Sequence, residues 1–277
     1  MKNLFLLINC LYISQSCVQS WAMSTNEAWL SNLRQKGLIL KEDILDQLKS
    51  DPTGNIELRS EIAKKYHLLL KAISARKQEF KIHYQQASDK EKHQIINNVQ
   101  ALLSLIITKV LTPLWMGGPW DFNGVPGKKP DINKPVACGH FVQKILENAG
   151  FNIVKNQGTW LAYLSQSDVI RTLVDSEPKQ YTTWDSVEAE LKKQGLGVYV
   201  FGLECGWGHV LFGSFEEPEK LLLIHAGPHF NGASVNYDDG KKYITSLCGE
   251  KIWFSKIDVT LAKKWLLNIP IKPCMVM

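Results

Sequence analysis

Residues 135–150, PVACGHFVQKILENAG, decide how this chain is organised. Apolar residues recur at three- and four-residue spacing after Cys138, and Gly150 stands where a glycine commonly ends a helix. The stretch therefore predicts a helix that begins near Cys138. A cysteine on the first turn of a helix feels the partial positive charge of unpaired backbone amides, which favours its thiolate form. Gly139 removes side-chain bulk beside the sulfur, so a carbonyl could approach those amides.

Downstream of this helix, the patterning changes from helical to strand-like. Three further helices are predicted at 161–174, 184–193 and 259–267. Four short apolar or alternating runs, separated by Gly, Pro and Asp, predict antiparallel strands at 197–201, 209–212, 221–225 and 251–254. This order of helices and strands predicts an α+β domain in which a helix packs on a small antiparallel sheet.

Upstream, the region from Ser24 to about Leu111 has helical periodicity, broken by a turn cluster at 51–54. Its clearest helix starts at Ser88, an N-cap, and carries an apolar stripe at three- and four-residue spacing. Between Thr112 and Pro135 the composition shifts to Pro, Gly, Trp and Asn, which predicts a loop. We therefore predict a helical region over 23–112 and a second domain over 113–277.

Two histidines stand where a partner for Cys138 would be needed. His209 opens an apolar strand after a glycine turn, and His225 ends the next strand. A strand holds an imidazole rigidly, so His209 can act as a base, and a polar residue on the neighbouring strand can fix its tautomer. Each residue also has an ordinary structural interpretation, as a buried cysteine or a strand-end histidine.

The ordered motifs resemble a known family. Trp-x-Gly-Gly in a loop, Cys-Gly opening a helix, Gly-His-Val opening a strand and Ile-His-Ala ending the next resemble the NlpC-type cell-wall cysteine peptidases, over about Trp115 to Lys256. Residues 120–124, WDFNG, together with 138–142, CGHFV, look closer still to an uncharacterised bacterial branch of that group.

The resemblance implies a papain-like α+β fold and a catalytic triad in which Cys138 is the nucleophile, His209 the base and His225 the orienting residue. It also implies action on the stem peptides of peptidoglycan, as an endopeptidase or amidase, without a cofactor or metal. Four residues are expected to bind substrate: Trp115, Trp120, Asp121 and Gly139. The Asp121 carboxylate would bind the free amino end of a trimmed stem peptide.

The N-terminus predicts export. Lys2, the apolar run 4–13 and the small residues that follow predict a signal peptide over 1–22. As an alternative, cleavage just before Cys17 would leave a cysteine that could carry a lipid anchor. No later stretch approaches the ~20 apolar residues of a membrane span, so we expect a periplasmic or extracellular protein. If Cys138 stays free, one disulfide can form among Cys205, Cys248 and Cys274.

Three other classes of function were considered. The net charge of +5 is spread without dense Lys/Arg blocks, which argues against nucleic acid as a partner. A zinc site is an alternative; its ligands would be Cys205, His209, His225 and His229. A non-catalytic module that binds cell-wall glycan or peptide through the Trp-rich loop is the other alternative.

Overall fold

A computed structural model of the chain describes residues 26–127, 129–131, 133–154, 161–174, 177–204, 206, 208–217, 220–229, 232–247 and 251–273. Within these ranges, helices fill the N-terminal part, and six strands form one antiparallel sheet in the C-terminal part. The predicted α+β class is confirmed.

The described N-terminal residues, 26–105, form five α-helices. They are α1 (26–35), α2 (Glu42–Ser50), α3 (Ile56–Lys64), α4 (Tyr66–Gln86) and α5 (Asp89–Leu105). The predicted turn at 51–54 separates α2 from α3. Ser88 caps α5 as predicted, and its backbone N–H donates to the Glu91 carboxylate at 2.8 Å. Such a capping box pairs amides that the first helical turn would otherwise leave unpaired.

The α5 helix continues without interruption through a π-helical stretch, Ile106–Leu111, and a 3-10 turn, Thr112–Trp115. The continuous segment Asp89–Trp115 has 27 residues and a mean hydropathy of 1.5 over its most apolar window, so by length and composition it could cross a membrane. The apolar helix predicted from Ser88 is therefore longer than expected, since no stretch after the N-terminus was expected to approach the length of a membrane span. More than half of the window is buried inside the protein, as expected for a core helix, and the segment packs against α4 and the later helices Cys138–Asn148 and Val259–Leu267.

The C-terminal part contains the elements that build the candidate site. The helices are α6 (Cys138–Asn148), a 3-10 turn (Leu161–Tyr163), α7 (Gln166–Val174), α8 (Trp184–Gln194), α9 (Gly240–Leu247) and α10 (Val259–Leu267). The strands are β1 (Gln180–Tyr181), β2 (Gly197–Glu204), β3 (His209–Glu217), β4 (Lys220–His229), β5 (Gly232–Asp239) and β6 (Lys251–Lys256). The helix predicted at 161–174 is divided in two, and β1, β5 and α9 were not predicted.

The sheet has the order β1-β6-β2-β3-β4-β5, and every neighbouring pair is antiparallel. Alternate side chains of β2 and β3 enter two different apolar clusters. Val200 and Phe212 belong to the cluster shared with α5, α6 and α10, whereas Phe201 and Leu211 belong to one shared with α8 and α9. Because both faces of these central strands are buried, their sequences read as nearly unbroken apolar runs.

The larger cluster extends from Leu30 to Ile271 and contains residues from both predicted regions. The boundary predicted at 112 falls inside the continuous segment Asp89–Trp115. Polar contacts also cross it. Lys77 Nζ donates to the Gly150 carbonyl at 2.7 Å, and the Arg59 guanidinium donates to the Met116 carbonyl. The helical region and the domain that carries Cys138 therefore share one core.

Candidate active site

Cys138 is the first residue of α6, as predicted, and Ala137 before it has extended backbone geometry. The thiol is partly exposed and is a free cysteine. Burial raises the pKa of the Cys138 thiol, and hydrogen bonds from the backbone amides of Val210, Gly139 and Cys138 itself act in the opposite direction. The effect of the helix N-terminus, which was expected to lower the pKa of Cys138, is therefore smaller than the opposite effect of desolvation, and the neutral thiol is favoured over the thiolate.

Gly139 allows α6 to approach the 3-10 turn closely. A β-carbon at this residue would lie 2.6 Å from the Ala162 carbonyl oxygen, closer than any real contact of that kind. The absent side chain therefore fixes the position of the turn that forms one wall beside the thiol. Gly139 was predicted to leave room for a substrate carbonyl, but the space left by its missing side chain is filled by the backbone of Ala162.

A row of hydrogen-bonded side chains crosses three neighbouring strands. His209 Nε2 lies 3.1 Å from His225 Nδ1, and His225 Nε2 lies 2.8 Å from the Asp238 carboxylate. The three residues lie on the neighbouring strands β3, β4 and β5, and His225 pairs with Asn236, two residues before Asp238. Both imidazoles are fully buried, and the Asp238 side chain is largely buried.

This row specifies which nitrogen of His209 can act as a base. A carboxylate only accepts hydrogen bonds, so His225 Nε2 donates to Asp238. In neutral His225, Nδ1 then accepts from His209 Nε2, and His209 Nδ1 keeps its lone pair. Burial, and secondarily repulsion from His225, hold the pKa of His209 well below its usual range. Neutral His209 with its basic nitrogen at Nδ1 is therefore the favoured resting form.

Two further residues enclose the imidazoles. The Tyr243 ring from α9 lies 4.7 Å from the His225 ring and 6.1 Å from the His209 ring, between centroids. Burial raises the pKa of Tyr243, and the negative charges available to Asp238 and Cys138 raise it further. The phenol therefore stays neutral and supplies an aromatic wall. On the other side, the backbone of Gly227 contacts both imidazoles.

A cavity of about 360 Å³ opens at Cys138. Its walls include Trp120 and Phe122 from the loop before α6, and Tyr163 from the 3-10 turn. Gln166, the first residue of α7, also lines it, and its side-chain amide lies against the backbone of Gly208, just before His209. The sequence analysis did not identify Gln166, because nothing in its local pattern indicates that α7 begins at the cavity.

The predicted substrate-binding residues divide into two groups. Trp120 and Gly139 line the cavity with Cys138. Trp115 does not; it is 3% exposed and packs edge-on against Phe141 at 6.4 Å, inside the core. Asp121 is exposed but is not part of the lining, and its carboxylate accepts the backbone N–H of Asn123 at 2.8 Å in a local turn. A direct binding role for Trp115 conflicts with its burial, and Asp121 is a turn residue.

The alternative zinc site cannot be assembled from what the structure describes. In the described ranges, no group of three or more His, Cys, Asp or Glu side chains is placed to hold a metal ion. Of the four residues considered, Cys205 and the side chain of His229 lie outside the described residues. Both nitrogens of His225 are occupied by His209 and Asp238. The signal peptide, Cys17, and the disulfide candidates Cys248 and Cys274 also lie outside those residues.

Comparison with protein-family models, with curated proteins and with solved structures found no match for this chain. The chemistry assigned to the site therefore rests on the geometry of its own residues.

Proposed function

We propose that this chain is an exported cysteine hydrolase that cleaves amide bonds, with a papain-like, NlpC-type catalytic domain. The observation that carries the proposal is the hydrogen-bonded row from Asp238 through His225 to His209, the residue that directly precedes Val210, whose backbone amide contacts the Cys138 thiol. A base of fixed tautomer and a cysteine at a cavity are two of the parts that nucleophilic catalysis needs.

Catalysis begins from a neutral pair. Burial disfavours both the Cys138 thiolate and the His209 imidazolium, so the proton moves as the sulfur attacks. A bond forms between Sγ and the substrate carbonyl carbon, the thiol proton passes to His209 Nδ1, and the carbonyl oxygen becomes an oxyanion. His225 and Asp238 stabilise the imidazolium that this step creates.

The same residues complete the reaction. The amides of Cys138 and Gly139, which favour negative charge at the sulfur, and the Gln166 side chain are the donors available to an oxyanion in this cavity. The intermediate collapses as the carbon–nitrogen bond breaks, and the leaving amine takes the proton from His209. Water then attacks the thioester, its proton passes through His209 to the departing sulfur, and the carboxylic acid is released.

The proposed substrate is peptidoglycan or its muropeptides, cleaved in the stem peptide by endopeptidase or amidase action. Support for this class is the ordered resemblance of the motifs at Trp120, Cys138, His209 and His225. The proposed location, periplasmic or extracellular, follows from the predicted signal peptide.

The test is to incubate the mature protein with purified peptidoglycan and soluble muropeptides and to identify the products by mass spectrometry. Cys138→Ala should abolish cleavage, and His209→Ala should lower its rate by about 10²–10⁴-fold, the usual contribution of a general base. His93, an exposed histidine on α5, provides the matched control, and His93→Ala should cleave normally. Absence of turnover by the wild type, together with a Cys138 thiol that resists alkylation even at alkaline pH, would instead favour a non-catalytic binding module.

A further inference from the structure

The cavity at Cys138 has an unusually apolar rim. Among the large hydrophobic residues described, the three most exposed are Phe122 at 65%, Tyr163 at 65% and Val125 at 60%, and all three line this cavity. Keeping such side chains in water is unfavourable, and clustered exposed apolar residues commonly mark binding grooves. Their convergence on one cavity indicates that they contact a ligand.

These side chains come from two separate parts of the chain. Phe122 and Val125 belong to the loop before α6, whereas Tyr163 belongs to the 3-10 turn before α7. Cys138 lies in the cavity that both parts line, along with the apolar Leu164. A group attached to the sulfur would therefore meet apolar walls from two directions.

The rim residue Tyr163 is held in place although its ring is exposed. The ring of His140, a buried residue on the first turn of α6, packs edge-on against it with centroids 5.1 Å apart. Burial lowers the pKa of His140, so this support adds no charge at neutral pH. The wall is thus a positioned aromatic surface.

Fixed charge is missing from the described lining. It contains no Asp, Glu, Lys or Arg among the residues that the structure describes, and its polar side chains are amides, a phenol, an indole, an imidazole and the thiol. Asp121, the acidic residue expected to bind an amino group, is engaged in its own turn. A charged group entering this cavity would lose water without gaining an opposite charge, which is costly.

We propose that the acyl group transferred to Cys138 carries an uncharged apolar or aromatic side chain next to the scissile carbonyl, and that acidic side chains are disfavoured there. This inference rests on the proposed function, since it concerns the acyl-enzyme of that reaction. Within the proposed peptidoglycan substrate, it selects bonds whose acyl side chain is uncharged and disfavours bonds at the carbonyl of an acidic residue.

The test uses N-acetyl amino-acid p-nitrophenyl esters that share one leaving group and differ only in the acyl side chain: Phe, Leu, Ala, Glu and Lys. Hydrolysis is measured as kcat/KM, with Cys138→Ala as the background. We expect kcat/KM for the Phe and Leu esters to exceed kcat/KM for the Glu ester by roughly tenfold or more, which is the discrimination that an apolar pocket supplies.

Two variants connect the preference to the rim. Val125→Lys should raise kcat/KM for the Glu ester by roughly two- to fivefold, as one exposed ion pair allows, and lower it for the Phe ester. Leu196→Lys is the matched control, because Leu196 is 53% exposed but lies outside the cavity lining, and it should leave the Glu/Phe ratio unchanged.

The outcomes separate the two proposals. The acyl-group inference would be overturned if kcat/KM for the Glu ester equalled or exceeded kcat/KM for the Phe ester, or if Val125→Lys left the ratio of the two unchanged. Either result would leave a cysteine hydrolase in place. No Cys138-dependent hydrolysis of any ester would overturn the proposed function, and the inference with it.

Discussion

Gly227 lies against the imidazole of His209: a β-carbon at residue 227 would come within 2.7 Å of His209 Cε1 and 3.0 Å of Nε2. The same atom would lie 3.2 Å from His225 Nδ1, so it would crowd both nitrogens that share a hydrogen bond. The two rings meet edge to face, at 85° and 5.1 Å between centroids. The backbone of β4 is thus part of the support that orients His209.

Gly227→Ala should therefore impair catalysis without removing any catalytic side chain. The added methyl group pushes His209 away from His225 and weakens the hydrogen bond that fixes the tautomer of His209. We therefore expect kcat to fall by at least about tenfold. Gly127→Ala is the control, since a β-carbon there would meet its nearest atom at an ordinary 3.7 Å. Cleavage by Gly227→Ala at the wild-type rate, in a correctly folded protein, would show that this contact does not orient the base.

Asp238→Asn tests the tautomer assignment. The introduced amide can donate to His225 Nε2, so the proton of His225 would move to its Nδ1 and be donated to His209 Nε2. The proton of His209 would then be on Nδ1, the nitrogen that must accept the thiol proton. We expect kcat to fall by about 10²–10⁴-fold. Nitrogen-15 NMR of the histidine side chains should show the exchanged tautomer. The exposed Asp185 supplies the control, Asp185→Asn, which should alter neither activity nor spectrum.

The pH dependence of Cys138 alkylation tests the neutral resting pair. Burial raises the pKa of the thiol and lowers that of His209, so reactivity toward iodoacetamide should rise with pH through and beyond the usual cysteine range near 8.5. Modification would be followed by mass spectrometry of the peptide containing Cys138. A thiolate–imidazolium pair would instead give a plateau of high reactivity that begins below about pH 6.

His209 should also make the fold sensitive to acid. Its folded pKa lies well below the ordinary value of 6.5, so the unfolded chain binds a proton first as pH falls. The stabilisation is present above about pH 6.5 and is lost below it. When the pH is lowered from about 7.5 to about 5.5, the Tm of the wild type should therefore drop by more than the Tm of His209→Gln does. His93→Gln, at an exposed site, should behave like the wild type; equal losses in wild type and His209→Gln would contradict this account.

The parts of the fold that sequence could predict are those with local signals. The α6 and α10 helices begin and end as predicted, because apolar periodicity and caps mark them; the Asp258 carboxylate accepts the N–H groups of Thr260 and Leu261. Strand β5 was missed, because its sequence GASVNYDD has few apolar residues. One of its faces carries Asn236 and Asp238 toward the polar row, and its pairing with β4 is a tertiary interaction.

The candidate site shows the same division. Cys138 and His209 were identifiable because each begins a predictable element, and His225 because it ends the predicted run 221–225, although strand β4 continues to His229. Asp238 belongs to the missed strand, and without that strand nothing links it to a histidine. Trp115 shows a different limit: a tryptophan beside glycines suggests an exposed loop residue, but Trp115 ends a 3-10 turn and packs against Phe141 of α6, which the local sequence does not indicate.

The helical segment Asp89–Trp115 gives the N-terminal region a structural role in the part of the chain that carries Cys138. Helices α6 and α10 pack on it and on its neighbours, so removing residues before 113 would leave their apolar sides facing water. The N-terminal helices therefore support the helix that carries Cys138. A shortened protein that begins at the loop should aggregate or fail to fold, and exchange of this region for a different targeting module would have to retain the 27-residue segment.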